Sequence, residues 1–375
     1  MRISFVSNYP LPYHTPILNE LATLADLHVI YMSRRHALDS VQSRAAIYQD
    51  PWGAPPSFPH TFHWSTAMRS KQLDLRLQLS VGVSRHLARL KPDVVLFSSW
   101  GPLMVEPLMW KKVARRRAVM WAESTRWSGL ARGRLSTLLR RRLLRSVDAF
   151  VSNGTEATTY LLDLGVSPAD VITACLPSRT DVSLAEGWEM AEPRYVYAGR
   201  LSERKHPAAV VEGFASLRRR IPGATLKIVG DGPLRSKVAG LIEPLGDSAR
   251  MLGQLEGAEL DEVYSQSDIL VLPAEREVWG LVVNEALAHG LFIVATDQVG
   301  SAYDLLDAAS GTVVPAGDPG ALAAAMEGAV EAGHDQAARR ARARHVAHCT
   351  FRSFAEAIHS AARMAVASPA PSEGN

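Results

Sequence analysis

The sequence predicts two successive α/β domains, each Rossmann-like with a parallel sheet, facing one cleft. Three observations carry this. Strand-like and helix-like segments alternate almost throughout the 375 residues. That length allows two domains of ordinary size, each burying its own core. A polar, aperiodic stretch at 177–193 interrupts the alternation near the middle. The boundaries follow: a first domain over 1–176, a linker over 177–193 and a second domain over 194–350. A closing helix over 351–367 can cross back to the first domain, and a disordered tail covers 368–375.

Taken in order, residues 2–7 form a compact apolar strand, and 15–25 a helix with Pro16 near its first turn. A second strand spans 27–33. Residues 34–65 lack a period and carry Pro51, Pro55, Pro56 and Pro59, which predicts a long loop. Strands follow at 93–98, 118–122 and 149–153 with helices between them, and 171–176 closes the first sheet. The second sheet starts at 195–199 and continues with strands at 225–229, 249–252, 268–272, 292–296 and 312–315. Helices from Pro207, from Pro233, at 259–265, at 281–289 and at 318–333 intervene. Residues 339–367 read as mostly helical. Ligands of such folds bind beyond the carboxyl ends of the strands.

Composition excludes several classes. The chain is 47% hydrophobic and 21% charged, a globular balance. No apolar run approaches the roughly 18 residues needed to cross a bilayer, and the first residues do not read as a signal peptide. Cys175 and Cys349 are far apart and belong to no Cys/His cluster, which predicts neither a disulfide nor a zinc site and a reduced cytoplasmic setting. The net charge is +3, and no nucleic-acid motif is present.

Three pieces of the second domain carry chemistry. Gly199-Arg200-Leu201-Ser202-Glu203-Arg204-Lys205 directly follows a strand and offers two cations, a fork and a point charge, to a diphosphate. Alone it reads as a solvated basic loop. Gly230-Asp231-Gly232-Pro233-Leu234 is again strand, turn, helix, with glycines that permit close backbone approach. It lacks the third glycine of a dinucleotide fingerprint, and no P-loop pattern exists. The third and most specific piece is Glu277-Val278-Trp279-Gly280-Leu281-Val282-Val283-Asn284-Glu285. One carboxylate precedes a helix, Gly280 opens the helix, and a second carboxylate lies one turn inside. A helix start with free N–H groups attracts phosphate, and ionised carboxylates accept hydrogen bonds from sugar hydroxyls.

Gly199-Arg200, Lys205, the Gly230–Leu234 turn and the Glu277/Glu285 pair stand in the order and spacing that resemble glycosyltransferase family 4, retaining enzymes of the GT-B fold. The resemblance covers roughly 195–335. It implies that Arg200 and Lys205 neutralise a donor diphosphate, Glu285 binds ribose, Glu277 holds the transferred sugar, and Gly280 and Leu281 offer backbone N–H groups to phosphate. Leu255, after Gly253-Gln254, would lie near the base, with Gly199 and Gly230 beside the donor. The resemblance implies a nucleotide-sugar donor, UDP favoured with GDP or another open, and neither cofactor nor metal, in keeping with the absence of an Asp-x-Asp.

The first domain departs from the pattern. Asn8-Tyr9-Pro10-Leu11-Pro12-Tyr13-His14 stands where many relatives have a Gly-rich loop, and Glu123 where many have a His. His14 and Glu123 are candidate catalytic groups, each set against an ordinary structural role. Trp100, Trp121 and Trp127 are read either as sugar platforms or as core. Twelve cations from Lys111 to Arg145 crowd one stretch, with Leu135, Leu138, Leu139, Leu143 and Leu144 at helical spacing. One reading is a peripheral membrane contact; the preferred one turns the leucines to the core. The acceptor stays open. An epimerase or pseudo-transferase with the same donor pocket, or a non-catalytic membrane-associated scaffold, are the alternative functions.

Overall fold

The computed structural model describes residues 1–8, 10–32, 55–63, 66–70, 75–79, 82–98, 102–127, 134–179, 184 and 187–368. The chain forms two compact units. Unit 1 contains Met1–Ala174 and Phe351–Asn375, and unit 2 contains Cys175–Thr350.

Unit 1 is built on a seven-stranded parallel sheet in the order β3-β2-β1-β6-β7-β8-β9. The strands are β1 (Arg2–Ser7), β2 (Asp26–Tyr31), β3 (His60–Phe62), β6 (Val94–Phe97), β7 (Arg117–Ala122), β8 (Ala149–Asn153) and β9 (Val171–Ala174). The central strands are buried on both faces, so they read as continuous apolar runs. Helices α2 (Val83–Leu90), α3 (Pro102–Ala114), α4 (Arg134–Leu144) and α5 (Gly154–Asp163) lie between successive parallel strands running in one direction. Right-handed crossovers put them on one face, over Phe97, Met104, Leu108, Met120, Phe150 and Leu161. Helix α1 (His14–Leu24) connects in the opposite direction and covers the other face with α13 (Phe351–Ala367). There the Trp121 ring lies 4.9 Å from Phe354.

Within the stretch expected to be a loop over 34–65, His60–Phe62 instead pairs with β2 as an edge strand. Its three residues are too few to show a period. Residues 33–54 lie outside the described set. A hairpin of β4 (Thr66–Ser70) and β5 (Leu75–Leu79) was likewise not foreseen.

Unit 2 has a six-stranded parallel sheet in the order β12-β11-β10-β13-β14-β15. The strands are β10 (Arg194–Ala198), β11 (Thr225–Val229), β12 (Ala249–Gly253), β13 (Ile269–Leu272), β14 (Phe292–Thr296) and β15 (Gly311–Val314). Counted within the unit this is 3-2-1-4-5-6, the dinucleotide-fold order. Helices α6 (Pro207–Leu217), α7 (Arg235–Ile242), α8 (Ala258–Ser265), α9 (Leu281–Ala288) and α10 (Ala302–Leu305) make the five crossovers, and α11 (Pro319–Gly328) follows the last strand and packs on α6. The helical run expected over 339–367 is two helices, α12 (Gln336–Val346) and α13, separated where the chain returns to unit 1. Buried Arg339 and Arg342 fix α12 by donating to carbonyls of Ser267, His289, Gly290 and Ala309. The guanidiniums of Arg194 and Arg339 lie 4.2 and 4.0 Å from the centre of the Trp188 ring, whose indole N–H donates to the buried Asp268.

The expectation that the two cysteines stay apart is wrong. Cys175 and Cys349 form a disulfide with Cα atoms 5.3 Å apart. Their separation of 174 in sequence misled because Cys175 opens unit 2 and Cys349 nearly closes it. Entry and exit points of one compact body often lie side by side.

Candidate functional site

In unit 2 the strand order reverses between β10 and β13, and crevices at such switch points take ligands. The loops leaving these two strands are 199–206 and 273–280, and they interlock. Glu275 N donates to Arg204 O at 2.8 Å, and Arg204 Nη1 donates to Arg276 O at 3.3 Å. Lys205 Nζ pairs with the Glu277 carboxylate in a short ion pair. Thus two residues singled out separately are partners here. Arg200, two residues beyond the end of β10, is exposed.

The turn at Gly230–Gly232 has a different use from simple approach to a ligand. Gly230 has φ +130, and a Cβ on it would sit 2.0 Å from Gly199 O. A Cβ on Gly232 would meet Leu201 O at 2.5 Å. Leu201 N donates to Asp231 O and Leu234 N to Leu201 O, each at 3.0 Å. These glycines therefore let one loop lie directly on the other and fix the position of Gly199 and Arg200. Leu255 follows the end of β12 and is partly exposed.

Gly280, at φ +93, ends the second loop and opens α9. The first amides of a helix have no intrahelical acceptor, and amides so placed, like those following Gly280, suit an anion cradle. Glu277 N donates to Gln298 O at 3.0 Å, which anchors the carboxylate just before that cradle. One turn inside α9, Glu285 accepts a hydrogen bond from Tyr264 Oη at 3.1 Å. Burial pushes the Glu285 carboxyl up to about 7, opposed by the Tyr264 hydrogen bond and by Arg179. Arg179 reaches Asp261 at 3.4 Å, and His289 Nδ1 lies 2.9 Å from Glu285 O. Tyr264, Arg179 and His289 were missed by sequence reasoning. They lie on other elements or a turn further along, and no motif joins them to Glu285.

In unit 1 the order reverses between β1 and β6. His14, buried at the start of α1, places Nε2 3.2 Å from Glu123 Oε1, and Tyr13 Oη donates to the same oxygen at 2.8 Å. His14 and Glu123 thus form one polar cluster at that unit's strand ends. Trp121 is fully buried, stacked near His14 and Phe5, and is core. Trp100 lies outside the described residues.

The reading that turns the α4 leucines inward holds for Leu143 and Leu144 but not for Leu138 and Leu139, which are 61% and 58% exposed, while the side chain of Leu135 lies outside the described set. Helix α3, on the same sheet face, exposes Val105, Met109 and Val113 at intervals of four, the last two at 65% and 86%. Exposed Lys112, Arg115, Arg141, Arg142 and Arg145 lie on the same two helices and their ends. The nearby acids are engaged inward: Glu106 accepts from Gly82 N and Ser84 N, and Asp148 pairs with Lys111 and Arg117. Among the described residues no helix is long and apolar enough to cross a membrane.

This geometry defines a nucleotide-fold unit whose switch point combines cations, a helix start and two carboxylates. Residues 179–346 match the family described as glycosyl transferases group 1. A sulfoquinovosyl transferase of Arabidopsis thaliana is 27% identical over 256 residues, 63% of this chain and 48% of its own length. A D-inositol 3-phosphate glycosyltransferase of Nocardia farcinica is 30% identical over 238 residues, 57% of this chain and 51% of its own. The chain therefore spans about half the length of these curated relatives. The solved structure of Anabaena HepE in complex with UDP superposes with a TM-score of 0.67 at 16% identity, covering 96% of this chain and 95% of that one. The fold is GT-B. The match to the group 1 glycosyltransferases lies in the second unit, and these relatives support a glycosyltransferase of the family 4 type.

Proposed function

We propose that the chain is a retaining, metal-independent glycosyltransferase that takes its sugar from a nucleoside diphosphate sugar, UDP being the favoured nucleotide. The observation that carries this reading is the convergence of loops 199–206 and 273–280 at the unit 2 switch point, with the Lys205–Glu277 pair joining them. The HepE structure with UDP supports the choice of nucleotide. As the glycosidic bond to phosphate breaks, the leaving diphosphate gains negative charge. Arg200, Lys205 and the α9 amides are placed before the reaction begins, so they stabilise that charge without reorganising. Glu285 accepts from the ribose hydroxyls, and Glu277 orients the transferred sugar while holding Lys205. His14 and Glu123 serve the acceptor side from unit 1.

The exposed apolar and basic surface of α3 and α4 favours an acceptor at an anionic membrane surface on the cytoplasmic side. The countercharge comes from side chains and amides, and the sequence has no Asp-x-Asp. A screen of nucleoside diphosphate sugars by thermal shift identifies the donor, since a ligand that binds the folded state raises the melting temperature. Sugar transfer or donor hydrolysis should then persist in a chelator. Loss of turnover in the chelator, restored by manganese or magnesium, would sink the metal-independent mechanism.

A further inference from the structure

The chain passes between its units twice, after Ala174 and after Thr350. The disulfide joins the residue just beyond the first passage to the one just before the second. Next to it lies Asn284, a fully buried amide on α9. Its Oδ1 accepts from Trp279 Nε1 at 2.8 Å. Its Nδ2 donates to Leu176 O at 3.0 Å and lies 3.8 Å from Cys175 Sγ. Only this orientation of the amide satisfies both an indole donor and a carbonyl acceptor. Val282, Val283, Ala286 and Leu287 around it are apolar, with Glu285 the exception, and a fully buried amide is tolerated only with both ends paired. Trp279 is also buried, and its own carbonyl accepts from Ser301 N at 2.9 Å. Trp279 stands between Glu277 and Gly280, so a continuous line of contacts runs from the disulfide to the anion cradle.

We propose that Asn284 is a positioning residue that ties loop 277–280 to the Cys175–Cys349 disulfide, so that donor binding responds to the oxidation state of this pair. The inference rests on the reading of this loop as the donor site. With the disulfide intact, Leu176 O is held where Asn284 needs it. With the bond cut, residues 175–176 are no longer fixed to residue 349. The amide then loses its fixed acceptor and Trp279 its fixed partner.

The chemistry balances with a dithiol as reductant. Its thiolate attacks Cys175, which is partly exposed while Cys349 is buried. The S–S bond breaks and Cys349 leaves as thiolate. His348 Nε2 lies 3.5 Å from that sulfur, and the thiolate takes its proton from solvent. The second thiol of the reductant then closes its own disulfide and releases Cys175. Two electrons and two protons pass to the protein.

The test compares the oxidised chain with the chain reduced by dithiothreitol, the thiols being counted by alkylation and mass spectrometry. Hydrogen exchange of amides 277–286 is followed without ligand, and UDP affinity by calorimetry. Reduction should speed that exchange and weaken UDP about tenfold, the scale of one lost hydrogen bond. The donor KM should rise while kcat is unchanged. The double variant Cys175→Ser with Cys349→Ser should match the reduced chain. Asn284→Leu should be weak in both states and deaf to reductant. Trp279→Phe keeps the ring but loses the N–H, and it carries the test if Asn284→Leu does not fold. Equal exchange and equal UDP affinity in the two states would overturn the proposal, as would a full response to reductant in Asn284→Leu and Trp279→Phe. If exchange responds but no nucleoside diphosphate binds either form, the donor reading fails and the tie to the disulfide stands.

Discussion

At the scale of single residues, the two glutamates of α9 and its preceding loop sit in different environments, and this predicts different failures. Glu277 is ion-paired to Lys205, whereas Glu285 is held by Tyr264. Glu285→Gln should weaken UDP and the full donor alike, by about 1.5–3 kcal/mol for a lost charged hydrogen bond. Glu277→Gln releases Lys205 toward phosphate, so UDP affinity should hold while turnover falls and sugar choice loosens. Calorimetry with UDP separates the two; equal losses would mean the pair only braces the loop. A pH dependence follows from Glu285. Its carboxyl is raised from 4.5 to about 7 in the folded chain, so its contribution to stability is present below 4.5 and is lost as pH climbs through 7. Ribose hydroxyls need the carboxylate, so UDP binding should tighten over the same rise. Melting curves and UDP titrations between pH 5.5 and 8 check both, and Glu285→Gln should flatten both. The pair itself was legible because its spacing encodes loop, helix start and first turn in one segment. Tyr264 and Arg179 were not, because their approach to Glu285 is set by how α8 and the start of unit 2 fold against α9.

At the scale of elements, parallel strands were the most legible part. Burial on both faces makes each a short apolar run between turn residues, as in β6, β8 and β14. Edge strand β3 has no buried face to write a pattern into its sequence. Helix α4 shows a different limit. Leucines at helical spacing indicate a stripe but not what covers it, and the stripe on α4 is split between core and surface. Its exposed leucines and the exposed α3 row, with cations on the same two helices, carry the proposal of a contact with anionic lipid. The chain should sediment with vesicles containing phosphatidylglycerol and not with phosphatidylcholine alone. Binding should weaken as salt screens the cations. Met109→Glu with Val113→Glu should reduce it by roughly tenfold or more without changing the melting temperature, since both side chains are exposed. Unchanged sedimentation of the double variant, or self-association through this surface in place of lipid binding, would remove the membrane reading.

At the scale of the whole molecule, alternation of strand and helix revealed two α/β bodies, but not which segments brace each one. The disulfide and the return of the last helix both depend on where chain ends meet in space, and a linear pattern does not record that. Helix α13 is continuous in sequence with unit 2 yet completes the core of unit 1. Phe354 is fully buried against Trp121, Ile358, Ala361 and Ala362 are buried on the same helix, and Arg352 reaches Glu20 and Thr23 of α1. The sequence-remote end of the chain thus stabilises the strand that carries Trp121 and, through it, the His14–Glu123 cluster. Phe354→Ala leaves a large cavity there and should cost about 3–5 kcal/mol. The loss should fall on unit 1 alone. Hydrogen exchange should show faster opening of β1, β7 and α1, with the amides of β10, β13 and β14 still protected and UDP affinity near that of the parent chain. A uniform loss of protection across both sheets would mean that the two units unfold as one, and that α13 is a brace for the entire molecule.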